Sequence, residues 1–255
     1  MTPMLNDREI RENFPAVSWL LCAEELPSTN TVAKELASKG APEGSLVIAE
    51  RQTGGRGRLG RSFESPGGGI YMTLVMRPEG TPEQSAMLTM AACVGVCRAA
   101  EKHLGIRPGI KWVNDLYHRG KKICGILAEG ACGEGRLQYA VIGIGLNYQS
   151  PEFTGELADK AGSLYPLEEP PISLSAMAGA VAAEVYRACK SFQSEEVYNE
   201  YRERSLLPGR EVTLPDGRRA KALDVTREGR LLVEFENGDT LALNWGEVSV
   251  TGELI

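Results

Sequence analysis

The stretch Thr53-Gly54-Gly55-Arg56-Gly57-Arg58-Leu59-Gly60-Arg61 holds four glycines and three arginines. Glycine frees the backbone to fold closely around a ligand, and each guanidinium presents a fork of donors that matches phosphate or carboxylate oxygens. Such a segment suits an anion; by composition alone it also suits a mobile surface loop with solvated charges. It is neither a G-x-x-x-x-G-K-[ST] loop nor a G-x-G-x-x-G opening a helix, so the common nucleotide signatures do not account for it. A second cluster, Lys111-Trp112-Val113-Asn114-Asp115, is followed closely by Lys121-Lys122-Ile123-Cys124-Gly125-Ile126-Leu127-Ala128-Glu129. There Asn114 and Asp115 make either an ordinary turn or the polar mouth of a site. Lys122, at the start of an apolar run, sits either at a solvated hairpin tip or inward as a fixed cation. In Gly143-Ile144-Gly145-Leu146-Asn147, two glycines let a strand approach a ligand and Asn147 ends it with a bidentate polar group.

The elements that must position these residues follow from pattern. Residues 16–25 read as a short buried strand; after Pro27, Ser28-Thr29-Asn30 opens a helical pattern that stops at Gly40. Residues 45–50 and 69–78 read as strands on either side of the Gly/Arg segment. Thr81-Pro82-Glu83-Gln84 starts a helix running to about His103, with proline at its first position and a capping-box glutamine. Residues 110–115, a turn over 116–122, and strands over 123–130 and 137–148 come next, then two helices within 172–206. Strands and helices alternate irregularly, which predicts an α+β fold with a mixed sheet and hairpins rather than a βαβ series. After Leu207-Pro208-Gly209, short alternating strands broken by Pro-Asp-Gly, Glu-Gly and Asn-Gly-Asp turns predict a small β-barrel of SH3-like size.

Composition bounds the chemistry. A chain of 255 residues, 42% hydrophobic, can build one large domain and a small one. The charged N-terminus has no apolar core, and no stretch approaches the roughly 18–20 apolar residues that span a bilayer, so a cytoplasmic protein with no membrane partner is expected. Six cysteines lack any C-x-x-C, and the two histidines lie near none of them in metal-ligand spacing, which predicts free thiols and no dedicated metal site. A net charge of −6 counts against a dedicated nucleic-acid binder.

In order and spacing, Ser28-Thr29-Asn30, Gln52, GRGRLGR at 55–61, KWVND at 111–115, KKICGILAE at 121–129, GIGLN at 143–147 and the ending Trp245-Gly246-Glu247-Val248-Ser249 resemble the biotin protein ligase family over nearly the whole chain. The resemblance implies a catalytic domain with the class II aminoacyl-tRNA synthetase-like fold over residues 1–206 and an SH3-like barrel over 207–255. It implies an ATP-dependent ligase that makes biotinyl-5′-AMP and transfers biotin to a lysine of a biotin carboxyl carrier protein. Its substrates would be biotin and ATP, with Mg²⁺ bound beside the ATP, near Asp115. Carried over residue by residue, Ser28, Thr29, Asn30 and Gln52 would hold the ureido ring, and glycines such as Gly125 and Gly143 would line the slot. Arg56, Gly57 and Arg58 would close over biotin and the reacting phosphate. Arg58, Arg61, Phe63, Asn114, Asp115 and Asn147 would serve the nucleotide. Lys122, with Arg58, would be catalytic, bridging the biotin carboxylate and the α-phosphate.

The sequence departs from the family pattern where Val113 replaces a proline, Cys124 takes a small-residue position, and Phe63 stands where a tryptophan is usual near adenine. About 25 residues precede Ser28, too few for a winged helix-turn-helix, so a non-regulatory member without specific DNA binding is expected. The resemblance is compatible with a homodimer. A lipoate protein ligase is the rival enzyme, and a nucleic-acid-binding module built on the arginine loop and the barrel is the rival of another class. The glycine content of GRGRLGR at 55–61 predicts a loop without fixed structure in the absence of ligand.

Overall fold

The computed structural model describes residues 5–150, 153–166, 168–244, 246 and 248–250. Trp245 and Glu247 of the C-terminal motif lie outside the described residues. The strands are β1 (Trp19–Leu26), β2 (Ser45–Gln52), β3 (Ile70–Met76), β4 (Gly109–Lys111), β5 (Asp115–His118), β6 (Lys121–Gly133) and β7 (Arg136–Leu146), which form one sheet in the order β1-β2-β3-β7-β6-β5-β4. Its β1–β2 pair is parallel and the others antiparallel, the mixed sheet of an α+β fold. The helices are α1 (Asp7–Asn13), α2 (Thr29–Ser38), α3 (Ser85–Leu104), α4 (Leu174–Lys190) and α5 (Glu195–Glu203). A second, antiparallel sheet takes β8 (Glu211–Thr213), β9 (Arg219–Val225), β10 (Leu231–Glu234), β11 (Thr240–Leu243) and β12 (Ser249–Val250) in the order β11-β10-β9-β8-β12.

The two faces of the large sheet follow from strand alternation. Leu46 and Ile48 of β2, Met72, Leu74 and Met76 of β3, and Ile142, Ile144 and Leu146 of β7 point to one face, where they share a core with α3 and α4. The residues between them point to the other face. There Val47, Val75 and Val141 meet Ala33 and Ala37 of α2 in a smaller cluster. Further along this second face β7 and β6 carry Gly143, Gly145 and Gly125, with Gly145 paired to Gly125 and Gly143 to Leu127. Beyond the first turn of α2 these glycines leave no side chains on this face, and a trough remains.

Three features depart from the sequence reading. Strand β1, expected to be buried, is a half-exposed edge strand with Trp19 39% accessible, because α1 and α2 cover only part of it. The run read as a turn over 116–122 is mostly strand, the end of β5 and the start of β6, and the reversal is confined to Arg119-Gly120, both in the left-handed region. Asp7–Asn13 forms a helix that the reading missed, capped by the Asn6 side chain accepting from Glu9 N. The capping-box glutamine is as expected: Gln84 Oε1 accepts the Thr81 N–H at 3.0 Å.

The small sheet does not stand apart. Val212, Leu214, Ala222, Val225, Leu231 and Val233 belong to the same apolar core as α3 and α4. The 226–230 turn packs on α3, with Gly229 facing Met90, and Tyr198 of α5 donates to Val225 O at 3.1 Å.

Candidate active site

The trough has a polar end, a glycine floor and a charged end, and each is built by a different element. At the polar end α2 begins: Ser28, Thr29 and Asn30 are 3–5% exposed and point at the sheet. Gln52 at the end of β2 accepts at Oε1 from the Thr29 N–H at 2.8 Å and from the Thr29 hydroxyl at 3.1 Å, and its Nε2 donates to Ser65 Oγ at 2.9 Å. Asn30 lies across Gly143 so closely that a Cβ there would stand 2.0 Å from Asn30 Oδ1. Thr73, buried on β3, places its hydroxyl 2.7 Å from Asn30 Oδ1 and 2.9 Å from Thr29 Oγ1. Asn30 Nδ2 donates to Glu129 Oε2 at 3.0 Å, and Lys34 Nζ pairs with Glu129 Oε1 at 2.9 Å. Burial opposes the charge on Glu129, but the Asn30 and Lys34 hydrogen bonds and the Lys34 and Arg56 charges hold its pKa below the ordinary range.

The floor is Gly125 and Gly145, and Phe63 lies on it. A Cβ at Gly145 would meet the Phe63 ring at 2.5 Å and one at Gly125 at 2.9 Å. The ring also meets Tyr71 edge-on, centroids 6.4 Å apart. The Gly/Arg segment takes the form of a tight hairpin over this floor. Gly57 N donates to Arg61 O at 2.7 Å and Phe63 N to Gly55 O at 3.0 Å, and the turn places Leu59 at φ 56° and Gly60 at φ 76°. Glycine is required at 55, where a Cβ would lie 2.3 Å from Phe63 O. Arg56, whose charge acts on Glu129, serves the polar end; Arg58 Nη1 donates to Asn114 Oδ1 at 3.0 Å at the other. Arg61 lines the trough as well, and Leu59 is 66% exposed at its mouth.

The charged end depends on an irregularity that alternation does not foretell. In β6, Cys124 and Ile126 face the core, so strict alternation would turn Lys122 the same way. Instead the register with β5 shifts at Ile123, Leu116 pairing with Cys124 but Tyr117 with Lys122. This bulge re-aims Lys122 to the trough, where its Nζ pairs with Asp115 Oδ1 at 2.7 Å and lies 3.4 Å from the position of a Gly125 Cβ. Lys121 is exposed, and its Nζ donates to Ala158 O. Asn114 is oriented by Nδ2 donating to Ile126 O at 2.8 Å. The loop before it is held by Trp112 Nε1 donating to Gly229 O at 2.9 Å and by the Tyr201 hydroxyl donating to Val113 O at 3.1 Å.

Ser28, Thr29, Asn30, Gln52, Arg56, Gly57, Arg58, Arg61, Phe63, Asn114, Asp115, Lys122 and Gly125 thus line one trough, with Gly143 and Gly145 in its floor. Asn147 does not line it: the side chain is 4% exposed, Nδ2 donates to Gly162 O at 2.9 Å, and Oδ1 has no hydrogen-bond partner. It braces the 160–162 segment that pairs with Lys122 through backbone hydrogen bonds. The sequence reading passed over Thr73, Lys34 and Ser65, and over any role for Glu129. A signal was present for two of them, since Thr73 lies between core residues of β3, and Glu129 is two and four residues past Leu127 and Gly125. Gly246 brings the C-terminal sheet into the wall. Among the described residues no group of three or more His, Cys, Asp or Glu could hold a metal ion.

Residues 22–147 match the model of the biotin/lipoate A/B protein ligase family. A biotin--[acetyl-CoA-carboxylase] ligase of Mycobacterium tuberculosis is 30% identical over 97% of this chain and 96% of its own length. The bifunctional ligase/repressor BirA of Bacillus spizizenii is 44% identical over 57% of this chain, and the match spans 46% of that protein. Among solved structures, a biotin protein ligase from Aquifex aeolicus in complex with biotin and ATP superposes with a TM-score of 0.74 at 27% identity, over 92% of this chain and 99% of that one.

Proposed function

From the premise that the chain belongs to the biotin/lipoate A/B protein ligase family, we propose that it is a biotin protein ligase. It activates biotin with ATP to biotinyl-5′-AMP and passes biotin to a lysine of a biotin carboxyl carrier protein. One observation carries the reading: a glycine-floored trough runs from a hydrogen-bonding end to a cationic end. Biotin has that shape, with a cyclic urea at one end, a carboxylate at the other and apolar atoms between.

The residues divide the work along the trough. Ser28, Thr29, Asn30 and Gln52 bind the ureido ring, and Gly125, Gly143 and Gly145 leave room for the bicycle and chain. Lys122 stands where the carboxylate meets the α-phosphate and reduces the repulsion between two anions that must approach for in-line attack. Arg56, Gly57 and the rest of the hairpin cover biotin; Arg58 and Arg61 add charge at the phosphate; Phe63 moves from the glycine floor to pack on the ligand. Asn114 and Asp115 serve the nucleotide side, with Asn147 bracing the strand end behind Lys122. Asp115, the single carboxylate in the wall among the described residues, suits a Mg²⁺ that would be held chiefly by the ATP phosphates and would neutralise their charge. In the second half-reaction the carrier lysine attacks the acyl carbon of the mixed anhydride, the C–O bond to phosphate breaks, and AMP leaves. We read 1–206 as the catalytic domain and 207–255 as a barrel domain, working in the cytoplasm, without specific DNA binding.

The rival lipoate ligase lacks support at the polar end, since a dithiolane has no N–H or carbonyl to satisfy these groups. Incubation with ATP and either biotin or lipoate, followed by mass spectrometry, tests the reading. Biotinyl-5′-AMP is expected; lipoyl-AMP in its place would overturn it.

A further inference from the structure

The Asn30 carboxamide is held in one orientation. Its two amide hydrogens go to Leu127 O at 3.2 Å and Glu129 Oε2 at 3.0 Å, and its Oδ1 accepts from Thr73. Turning the amide over would set its oxygen against a carbonyl and a carboxylate, neither of which can donate. Only Oδ1, with one lone pair left, remains for a ligand. Gln52 is fixed in the opposite sense: its oxygen takes both Thr29 donors, and its Nε2 keeps one hydrogen beyond that given to Ser65. The polar end therefore offers one fixed acceptor and one fixed donor.

The group that decides this polarity is outside the trough. Glu129 does not line it, and its side chain is 26% exposed. Its two oxygens have separate tasks: Oε1 takes the Lys34 ammonium and Oε2 takes the Asn30 amide. We infer that Glu129 is a positioning residue that, through Asn30, sets the acceptor polarity of the slot end and so selects a ligand head bearing N–H donors beside a carbonyl. This rests on the biotin reading above and deepens it. A merely structural role is the competing account, in which the Glu129–Lys34 ion pair ties α2 to β6.

The split between the two oxygens separates these accounts. In Glu129→Gln one oxygen becomes NH₂. Lys34, which has only donors, takes the remaining oxygen, so the new NH₂ faces Asn30; the carboxamide loses its charged acceptor, is held in its original sense by Leu127 O and Thr73 alone, and its turned-over form becomes populated. In that form Asn30 presents N–H to a ligand N–H. Lys34→Met removes the ion pair but leaves the carboxylate on Asn30.

Titration calorimetry on the full chain tests the inference, with biotin and with its carbamate analogue, in which one ureido N–H is an ether oxygen. Wild type should prefer biotin. Glu129→Gln should weaken biotin by roughly tenfold or more, the worth of a charge-assisted hydrogen bond, and should shrink the preference over the carbamate. It should raise the KM for biotin while leaving kcat and the KM for ATP nearly unchanged. Lys34→Met should bind biotin within about twofold of wild type. Biotin affinity and preference unaffected by Glu129→Gln would overturn the inference alone, as would Lys34→Met matching Glu129→Gln in damage. Wild type that binds no biotin would overturn the ligase reading first.

Discussion

Adding one methyl group to the trough floor isolates what the missing side chains do. In Gly145→Ala the new Cβ stands 2.5 and 2.6 Å from Phe63 Cε1 and Cζ. Carbon atoms in contact sit about 3.5–4.0 Å apart, so the ring must retreat by roughly 1 Å. Overpacking of this kind costs about 1–3 kcal/mol. Phe63 belongs to a hairpin rather than a strand, so the lower end applies, about 1 kcal/mol, or some 2–4 °C in a chain of this length. The effect on ligand should be larger in proportion. A methyl on the floor of an apolar slot is worth about 1–3 kcal/mol, which predicts biotin binding weaker by roughly 10- to 200-fold. Gly135→Ala is the control. Gly135 has φ +74° in the β6–β7 turn with open space around it, so alanine there costs backbone strain of about 1–2 kcal/mol without touching the trough. Thermal unfolding and calorimetric titration of both variants give the test. Equal losses of melting temperature with a biotin Kd changed only in Gly145→Ala would support the floor assignment. A Gly145→Ala protein that binds biotin like wild type would refute it, since the ligand could not then lie on that floor.

Lys122→Ala should slow biotinyl-5′-AMP formation by about two orders of magnitude or more, while Lys121→Ala, on the solvent side of the bulge, should be nearly silent; the reverse result in an adenylate assay would show the register to be wrong. Protease cutting within 54–63 should slow when biotin and ATP are both present, because new contacts to anions hold the hairpin closed; equal cutting rates would contradict this. Arg58→Gly removes the Asn114 contact and should let the adenylate escape, so that a bystander protein such as serum albumin becomes biotinylated at matched adenylate synthesis. An unlabelled bystander would move the retaining role to Arg56 or Arg61.

Much of the trough was legible because strand alternation is strict where it matters. In Val141-Ile142-Gly143-Ile144-Gly145-Leu146, isoleucine and glycine alternate, so the pattern alone makes one face of β7 core and the other bare. The Ser28-Thr29-Asn30 helix start was legible from residue type, although the Ser28 side chain makes no capping hydrogen bond and is turned to the trough instead. Lys122 was singled out by family likeness, but its direction was not readable, since a bulge at Ile123 is a property of the β5–β6 pairing and not of either strand alone. The same holds for Glu129 and Lys34, 95 residues apart in sequence and joined only when α2 lies on β6. Strand β1 looked buried because WLLCA is apolar, yet burial depends on what covers an edge, and α1 was not foreseen.

The shared interior of the two sheets bears on how such a chain can change over time. Trp112, in the wall of the trough, has its indole N–H committed to the carbonyl of Gly229, a residue of the β9–β10 turn. Gly229 in turn sits against Met90 of α3, and Gly246 closes part of the same wall. A module joined only by a tether can be swapped, duplicated or lost as a unit. Here the second sheet has become part of the cavity's masonry, so recombination at residues 206–207 would leave an indole donor without its acceptor and an apolar helix face uncovered. Exchange with another member of the family is open only to partners that keep a glycine-bearing turn of matching length at this point, and the two halves must drift together rather than apart.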